Sequence, residues 1–315
     1  MSPKVTVGLP VYNGEEFVAE SIESVLSQDF EDFELIVSDN ASTDRTAEIC
    51  QAYAAKDGRV RYHRNPTNEG IAANFNRACG YARGRYFKWH AADDMLGPGY
   101  LRLCATILDQ DPGVALVTPR TRMVDSDGST PLVYDERLGV YPKSYAGRPI
   151  DSTLGFVSPD PTVRFRSVLL SMRGEALNNY IYGLMRTELL RQRAPLYKTF
   201  VGSDKVLLSR LSLSGRLVEL PEDLFIWRHH SREFGYLAHR DAARTWDPDS
   251  GGHLMLMGAR QIVAYAEVVL RAPLPRRARV ACLAAIGVKI PNGLVRQTRN
   301  LWHRHPSADG NVTDA

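Results

Sequence analysis

Short apolar runs alternate with amphipathic segments along the first part of the chain. Runs rich in β-branched and aromatic residues predict strands, and the segments between them carry apolar residues at helical spacing. The five predicted strands are Val5–Leu9, Phe33–Val37, Val60–His63, Tyr86–Trp89 and Val114–Thr118. This alternation predicts an α/β fold in which a largely parallel sheet carries helices on both faces.

Polar residues that favour helix N-termini follow the first two predicted strands. Asn13 precedes a segment with Glu15 and Glu16 in its first turn, and Ser42 precedes the next amphipathic segment. We predict that Asn13 and Ser42 cap these helices, because short polar side chains accept hydrogen bonds from free backbone N–H groups.

The pattern changes between Arg120 and Asn178, a stretch rich in Pro, Gly and Ser with a hairpin-like turn at 125–128. Irregular sequence of this length predicts a lid or a specificity wall. Regular patterns return in Tyr180–Met185, Asp204–Leu213, Leu217–Trp227 and Leu254–Leu270. We therefore divide the chain into a main domain over 1–230 and a helical extension over 231–315.

Positive charge is concentrated near the C-terminus. The 315-residue chain has a net charge of +3, but Arg271–His305 holds eight Lys and Arg without one acid, so the remainder carries −5. An acidic body argues against a nucleic-acid partner. The apolar stretch Val280–Val288, between basic residues and with Trp302 beyond it, suits an interfacial segment drawn to an anionic membrane surface. The alternative is a solvated helical extension packed on the main domain. Residues 309–315 are predicted to be disordered.

Three further features of the sequence predict where in the cell the protein lies. No apolar run approaches the roughly 18 residues that span a bilayer. A strand pattern begins almost at Met1, where a secretory leader would stand. The four cysteines are widely scattered, which predicts reduced structural thiols. We expect a cytoplasmic protein, either free or peripheral at the inner face of the membrane.

The residues with candidate chemistry follow the predicted strands. Tyr12 and Asn13 follow the first, Asp39 and Asn40 the second, and the pair at 93–94 the fourth. In parallel sheets ligands bind at the carboxyl ends of strands. A carboxylate there can accept hydrogen bonds from a base or ribose, and a carboxylate pair can hold a hard divalent cation. Each loop alone also fits a solvated turn or a helix cap, but their coincidence at one edge favours a nucleotide site.

This order of motifs resembles family 2 glycosyltransferases of the GT-A fold. The resemblance runs from about Val5 to His230 and rests on Pro10-Val11-Tyr12-Asn13, Ser38-Asp39-Asn40-Ala41-Ser42-Thr43-Asp44, Asn68-Glu69-Gly70, Ala92-Asp93-Asp94, Gly202-Ser203-Asp204 and Trp227-Arg228-His229-His230. It implies a Rossmann-like mixed, mostly parallel sheet, with a nucleotide-binding half over about 1–120 and an acceptor-binding half over about 121–230. The implied activity is metal-dependent, inverting transfer of a sugar from a nucleotide-diphosphate sugar to a hydroxyl of a glycan, a glycolipid or a small molecule.

The resemblance also implies roles for individual residues. Asp39 would bind the nucleobase, and Asp204 would be the catalytic base. Mn²⁺ or Mg²⁺ would be held by Asp93, Asp94 and His230. The remaining donor-binding residues would be Pro10, Tyr12, Asn13, Asn40, Asn68 and Gly70, together with Asp93. Ala91 stands where the family has the first acid of its Asp-x-Asp signature, which puts the affinity for metal in question.

The chemistry agrees with these roles. A divalent cation stabilises the charge that develops on a leaving diphosphate, and one base is enough for direct displacement with inversion. Alternatives stay open for single residues. Asp204 also fits the N-cap of an amphipathic segment, His229 and His230 fit surface histidines, and Trp89 fits the core better than a sugar-stacking platform.

Other classes of function are weighed against this one. Ala91 favours a sugar-nucleotide or glycan-binding protein with weak or no turnover. A nucleotidyltransferase would need a Gly-rich, basic phosphate loop after the first strand, and an NAD-dependent oxidoreductase would need GxGxxG there. Residues 10–14 supply neither.

Overall fold

The computed structural model describes residues 2–131, 155–170, 175–191, 202–230 and 257–287. The strands are β1 Val5–Val11, β2 Phe33–Asp39, β3 Val60–Arg64, β4 Tyr86–Trp89, β5 Met95–Leu96, β6 Val114–Val124, β7 Leu184–Arg186 and β8 Arg216–Arg228. The helices are α1 Val18–Leu26, α2 Thr46–Lys56, α3 Ile71–Gly80, α4 Tyr100–Gln110, α5 Pro161–Leu170, α6 Thr187–Arg191, α7 Ser203–Ser214 and α8 Met257–Arg271. A 3-10 helix, Glu175–Tyr182, precedes β7, and a further helix runs over 276–287.

The described strands form one sheet in the order β3-β2-β1-β4-β7-β6-β8-β5. The first four run parallel, β7 is antiparallel to both neighbours, and β5 is antiparallel to β8. In this register Val11 pairs with Asp39, and Gly8 pairs with Trp89. The carboxyl ends of β1, β2 and β4 therefore lie at one edge of the sheet, where the loops singled out by sequence emerge.

Two apolar clusters cover the two faces of the sheet. One joins the inner residues of β1 and β2 to α1 and α4, including Ile22 and Leu101. The other joins Phe87 and Trp89 of β4 to α3 and α7. Tyr86 belongs to the first cluster and Phe87 to the second, so neighbouring residues of β4 enter opposite clusters, as the period of two in a strand requires. The predicted arrangement of helices on both faces is confirmed.

A third apolar cluster holds the helices of the second half together. It joins α5, α7, α8 and the helix at 276–287, with Phe165, Leu213, Tyr265 and Cys282 among its buried members. The inner face of the basic extension therefore packs on the main domain. This part of the tail thus matches the alternative of a helical extension packed on the main domain. Four of the eight cations of the tail, from Lys289 onward, lie outside the described residues.

The five strands predicted from the apolar runs are all present, and β6 continues well beyond Thr118 to Val124. The expectation of irregular structure from 120 to 178 is wrong in part, since β6 and α5 occupy portions of it. The predicted turn forms, with the Gly128 N–H donating to the Asp125 carbonyl. The rest of the predicted lid and the predicted disordered end at 309–315 lie outside the described residues.

The two predicted helix caps are wrong. Phe17 and Arg45 occupy the N-cap positions of α1 and α2, and neither helix has a side-chain capping bond. Asn13 and Ser42 instead form hydrogen bonds that join their two loops. A pattern of polar residues before a helix cannot distinguish these outcomes, because the same oxygen serves a cap or a loop contact.

Two smaller expectations are confirmed. The cysteines at 50, 79, 104 and 282 are free and buried. Trp89 is fully buried and packs edge-on against Phe87, so it belongs to the core. Among the described helices, none combines the length and the apolar character needed to cross a bilayer.

Candidate active site

The loops after β1 and β2 are latched to each other. The Asn13 N–H donates to Ser42 Oγ at 3.0 Å, and the Thr43 N–H donates to Asn13 Oδ1 at 2.8 Å. The next residue continues the latch, since the Gly14 N–H donates to Thr46 Oγ1. Asn13 has a φ of +51°, a conformation that Asn tolerates better than most residues. The two loops therefore form one preorganised wall at the carboxyl edge.

Tyr12 is the exposed part of this wall. Its side chain is 47% exposed, while Pro10 lies inside β1, paired with Ser38 of β2. An exposed aromatic ring at this edge can stack on a planar base. The contact of Pro10 with the donor stays a prediction.

Asp39 is fully buried at the end of β2. One carboxylate oxygen accepts from the Ser42 N–H at 2.8 Å, and the other accepts from the Tyr62 hydroxyl at 2.5 Å and from Arg64 at 3.3 Å. Burial, followed by this hydrogen bond to Asp39, raises the pKa of Tyr62 to about 12. The carboxylate thus fixes the loop with Ser42 and holds a part-exposed guanidinium over itself, and its contact with a nucleobase stays a prediction.

Amide side chains join β2 to the loop before α3. Asn40 Nδ2 donates to Asn68 Oδ1 at 2.8 Å and to the Gly70 carbonyl at 3.2 Å. The Gly70 N–H donates to Asn68 Oδ1, and Gly70 has a φ of +84°, which favours glycine. Behind them, buried Asn74 donates to the carbonyls of Val11 and Ser38. Asn40, Asn68 and Gly70 are brought together as one unit.

The acidic pair after β4 divides between two surroundings. Asp93 is 35% exposed and lies 3.0 Å from His230 Nε2, through its Oδ2 atom. Asp94 is buried, and its Oδ1 atom accepts from the Arg228 N–H at 3.1 Å. Asp93 is therefore partly accessible and His230, at 10% exposure, lies mostly enclosed beside it, while Asp94 joins its loop to the end of β8.

Arg228 is the residue that holds this corner together. Its guanidinium is buried and donates to the Asp93 carbonyl at 3.0 Å and to the Ser126 carbonyl at 2.8 Å. It also pairs with Glu20 of α1 and lies 4.7 Å from the centre of the Phe17 ring. Arg228 thus connects α1, the turn at 125–128 and both acids of the pair.

Two further basic side chains are buried before the acidic pair, Lys88 on β4 and His90 directly after it. Burial lowers the pKa of Lys88 to about 7 and holds the pKa of His90 well below its ordinary value. Lys88 Nζ donates to the Trp89 carbonyl and lies 4.9 Å from the centre of the Tyr100 ring. From the sequence we assigned neither residue a role. A Lys inside an apolar strand interrupts the pattern, but the pattern does not show which residue the Lys contacts.

Asp204 lies in the first turn of α7. Gly202 is the N-cap residue with no side-chain capping bond, so the N-cap alternative for Asp204 is wrong. Burial raises the pKa of Asp204 above its ordinary value. The Asp204 charge, after burial, also raises the pKa of Tyr265 on α8. No described hydrogen bond joins Asp204 to Asp93, His230 or the Asp39 loop.

The donor set at Asp93 and His230 fits a divalent cation. Asp93 Oδ2 and His230 Nε2 lie within hydrogen-bond distance of each other, at 3.0 Å. A carboxylate suits Mn²⁺ and Mg²⁺, and a neutral imidazole binds divalent transition metals, so this pair would supply two ligands. Within the described residues no group of three His, Cys, Asp or Glu side chains forms a complete metal cluster. Such an ion would therefore need further oxygens, which a diphosphate and water can supply.

The reasoning from sequence missed Glu20, Phe17 and Asn74. The signal for Asn74 was a polar residue on the otherwise apolar face of α3. Glu20 gave no signal, because its partner Arg228 lies 208 residues later in the chain. Arg228 itself stood in the closing motif but was assigned no contact.

Comparisons with known proteins agree on one family. A family model described as Glycosyl transferase family 2 matches residues 6–172, which is more than half of the chain. A putative glycosyltransferase, EpsE of Bacillus subtilis, is 37% identical over 135 residues, which are 42% of this chain and 45% of that protein. Chondroitin synthase of Pasteurella multocida is 33% identical over 127 residues, which are 40% of this chain and 13% of that protein. The matched part thus spans less than half the length of each relative.

Solved structures show the same fold. TarS 1–349 of S. aureus, in complex with UDP-GlcNAc, has a TM-score of 0.60 at 19% identity, with 90% of this chain and 71% of that chain covered. The mannosyltransferase PcManGT of Pyrobaculum calidifontis, in complex with GDP-Man and Mn²⁺, has a TM-score of 0.54 at 18% identity, with 96% and 81% covered. At these identities the likeness concerns the fold alone.

Proposed function

The chain belongs to glycosyl transferase family 2 and has the GT-A fold, and from this premise we propose that it transfers a sugar with inversion from a nucleoside-diphosphate sugar to an acceptor hydroxyl. The observation that carries the proposal is the hydrogen-bonded Asp93–His230 pair, 3.0 Å apart and with Asp93 35% exposed, beside the latched loops of β1 and β2. The acceptor is a hydroxyl of a glycan, a glycolipid or a small molecule.

The donor would lie along the carboxyl edge of β1, β2 and β4. Tyr12 would stack on the base, and Asp39 would contact the base with Arg64 beside it, while Asn13 and the Asn40–Asn68–Gly70 unit shape the nucleoside wall. Two solved structures of the same fold carry UDP-GlcNAc and GDP-Man, which supports a nucleotide-sugar donor of this general class.

Asp93 and His230 would hold Mn²⁺ or Mg²⁺ beside the diphosphate, with Asp94 bracing the loop from beneath. When bound there, the cation would act as a Lewis acid on the leaving diphosphate. Arg228 donates a hydrogen bond to the Asp93 carbonyl and so would orient Asp93 relative to His230. The Mn²⁺ in the PcManGT complex supports the choice of ion.

Asp204 would take the proton of the acceptor hydroxyl as the sugar's C1 bonds to that oxygen and releases the diphosphate. A carboxyl group whose pKa is raised by burial is a stronger base once ionised, which suits this role. Without a second carboxylate assigned as nucleophile, direct displacement with inversion is the mechanism that these residues support.

The main alternative is a protein that binds nucleotide sugar or glycan without efficient turnover, motivated by Ala91 at the first position of the acidic signature. Incubation with a panel of nucleotide sugars, with and without Mn²⁺, separates the two. Release of nucleoside diphosphate supports the transferase, and tight binding without any release supports the alternative.

The mechanism is tested with Asp204→Asn. We expect turnover to fall about 10²- to 10⁴-fold with donor affinity kept, because Asn cannot take a proton. Asp29→Asn, which removes a charge from an exposed pair with Arg102, is the matched control and should be silent. Analysis of the product anomer by NMR is the second measurement. Retention of configuration, or full turnover of Asp204→Asn, refutes the mechanism.

A further inference from the structure

Exposed aliphatic side chains are concentrated on one part of the molecule. Seven large hydrophobic side chains are strongly exposed among the described residues, and one of them, Tyr12, lies at the carboxyl edge of β1, β2 and β4. The other six lie on or beside α5, α8 and the helix at 276–287: Val157, Val163, Leu170, Val263, Leu270 and Val280, with exposures of 41% to 66%. Single exposed aliphatics are ordinary, but a group confined to one helical layer marks an interaction surface.

The exposed residues form stripes on the outer sides of these helices. On α5, Val163, Arg166 and Leu170 are exposed at spacings of three and four residues. On α8, Val263 and Leu270 are seven residues apart and so share one face, while Tyr265 and Val269 face the third apolar cluster. Each helix therefore has one side in the core and another that presents aliphatic groups outward.

Arginine accompanies the aliphatic residues on the same helices. The three helices contain seven arginines and one acid, Glu267, which pairs with Arg271. Arg164 is buried and donates to backbone carbonyls. Arg166, Arg260, Arg276 and Arg277 are exposed on these helices. The surface is thus aliphatic and cationic together.

We propose that this surface, formed by α5, α8 and the helix at 276–287, docks on an anionic lipid bilayer. Aliphatic groups flanked by arginine match an apolar interior beneath an anionic headgroup layer. Association with a second copy through this face would bring arginines against arginines, which is electrostatically unfavourable. A nucleic acid would match the charge but not the exposed Val and Leu, since bases stack on aromatic or planar groups.

The test uses the full chain and flotation with vesicles of phosphatidylcholine, with or without phosphatidylglycerol. Arg276→Gln/Arg277→Gln removes charge, and Val263→Ser/Leu270→Ser removes aliphatic surface. Arg85→Gln/Arg102→Gln is the control, because both arginines are exposed, one just before β4 and the other on α4. We expect retention on anionic vesicles alone. At about 1 kcal/mol per cation, the first double variant should weaken partition about 30-fold. We expect the aliphatic variant to weaken it at least tenfold and the control to leave it unchanged.

Several results would overturn the proposal. These are equal retention on neutral vesicles, unchanged partition of either surface variant, or a loss in the arginine control as large as in Arg276→Gln/Arg277→Gln. A duplex DNA probe bound in place of vesicles, or a dimer dissolved by Val263→Ser/Leu270→Ser, would assign the surface to a different partner. Thermal melting and nucleotide-sugar hydrolysis in detergent-free buffer check that each variant is folded, and both should match the parent chain.

Discussion

Arg228→Met gives the sharpest test of how the site is held together. The change keeps much of the side chain's length but removes the guanidinium from a position that is 2% exposed. Two carbonyls, those of Asp93 and Ser126, lose their charged donors. A hydrogen bond to a charged group contributes about 1.5–3 kcal/mol. The contact with the Phe17 ring contributes about 1 kcal/mol more.

The ion pair between Arg228 and Glu20 contributes little to the free energy of unfolding, although it joins β8 to α1. The Glu20 side chain is 55% exposed, so its charge stays hydrated when Arg228 is removed. We therefore expect Glu20→Gln to cost less than about 1 kcal/mol. Since these contacts are not additive, Arg228→Met should lower the free energy of unfolding by about 3–4 kcal/mol. Arg228→Lys should fall between the two, because one ammonium cannot reach all three partners.

Urea unfolding measures these differences, and Mn²⁺ titration of the folded variants measures the effect on the site. Arg102→Met, which breaks an exposed pair with Asp29, is the control and should cost less than about 1 kcal/mol. Arg228→Lys should bind Mn²⁺ more weakly than Glu20→Gln does, since Arg228 contacts the Asp93 backbone. Equal costs for Glu20→Gln and Arg228→Met would show that the ion pair, rather than the carbonyl contacts, carries the stability.

Three further predictions concern the carboxylates. Asp93→Ala should abolish Mn²⁺-dependent sugar transfer without lowering the melting temperature, and full activity in excess chelator would contradict it. Asp39→Ala should raise the calorimetric dissociation constant for the nucleoside diphosphate more than Tyr62→Phe does, because Tyr62→Phe keeps the carboxylate. An equal effect would assign Asp39 to loop structure alone. Burial raises the pKa of Asp204 in the folded chain above its unfolded value, so its stabilising contribution is present at low pH and lost as pH rises through the raised pKa. The stability of Asp204→Asn relative to the parent should therefore increase from about pH 3 to about pH 7 in urea titrations, and a constant difference would contradict the burial of Asp204.

The parts of the fold that could be predicted are those written locally in the chain. Val5–Val11 and Phe33–Asp39 are buried along their whole length, and short runs dominated by apolar residues identified both strands. The two-residue strand β5 has no such signal, because it exists through its pairing with Phe225 and Ile226. Helix α5 was hidden by its composition, since its Pro, Thr and Arg residues resemble a loop until Arg164 is seen to bond backbone carbonyls.

The candidate site divides in the same way. Strand ends could be located from sequence, so Asp39 and Asp93 were placed at the correct edge. Contacts between distant residues could not be located. Arg228 meets Glu20 and Asp93 because β8 ends beside β5 and α1, which is a consequence of sheet order rather than of spacing. The failed caps at Asn13 and Ser42 have the same cause, since each side chain binds the other's loop.

The helix of the proposed base, α7, packs against α8, which belongs to the proposed membrane surface. On α8, Gln261 donates to the Gly202 carbonyl at the start of α7, and Tyr265 lies close enough to Asp204 to feel its charge. The opposite side of α8 presents Val263 and Leu270. A helix with side chains is about 10 Å across, so Asp204 lies about that far beneath the outer face. Interfacial helices settle about 5–10 Å into the headgroup region. Docking through α8 would therefore bring Asp204, the proposed base, to the level of the lipid headgroups.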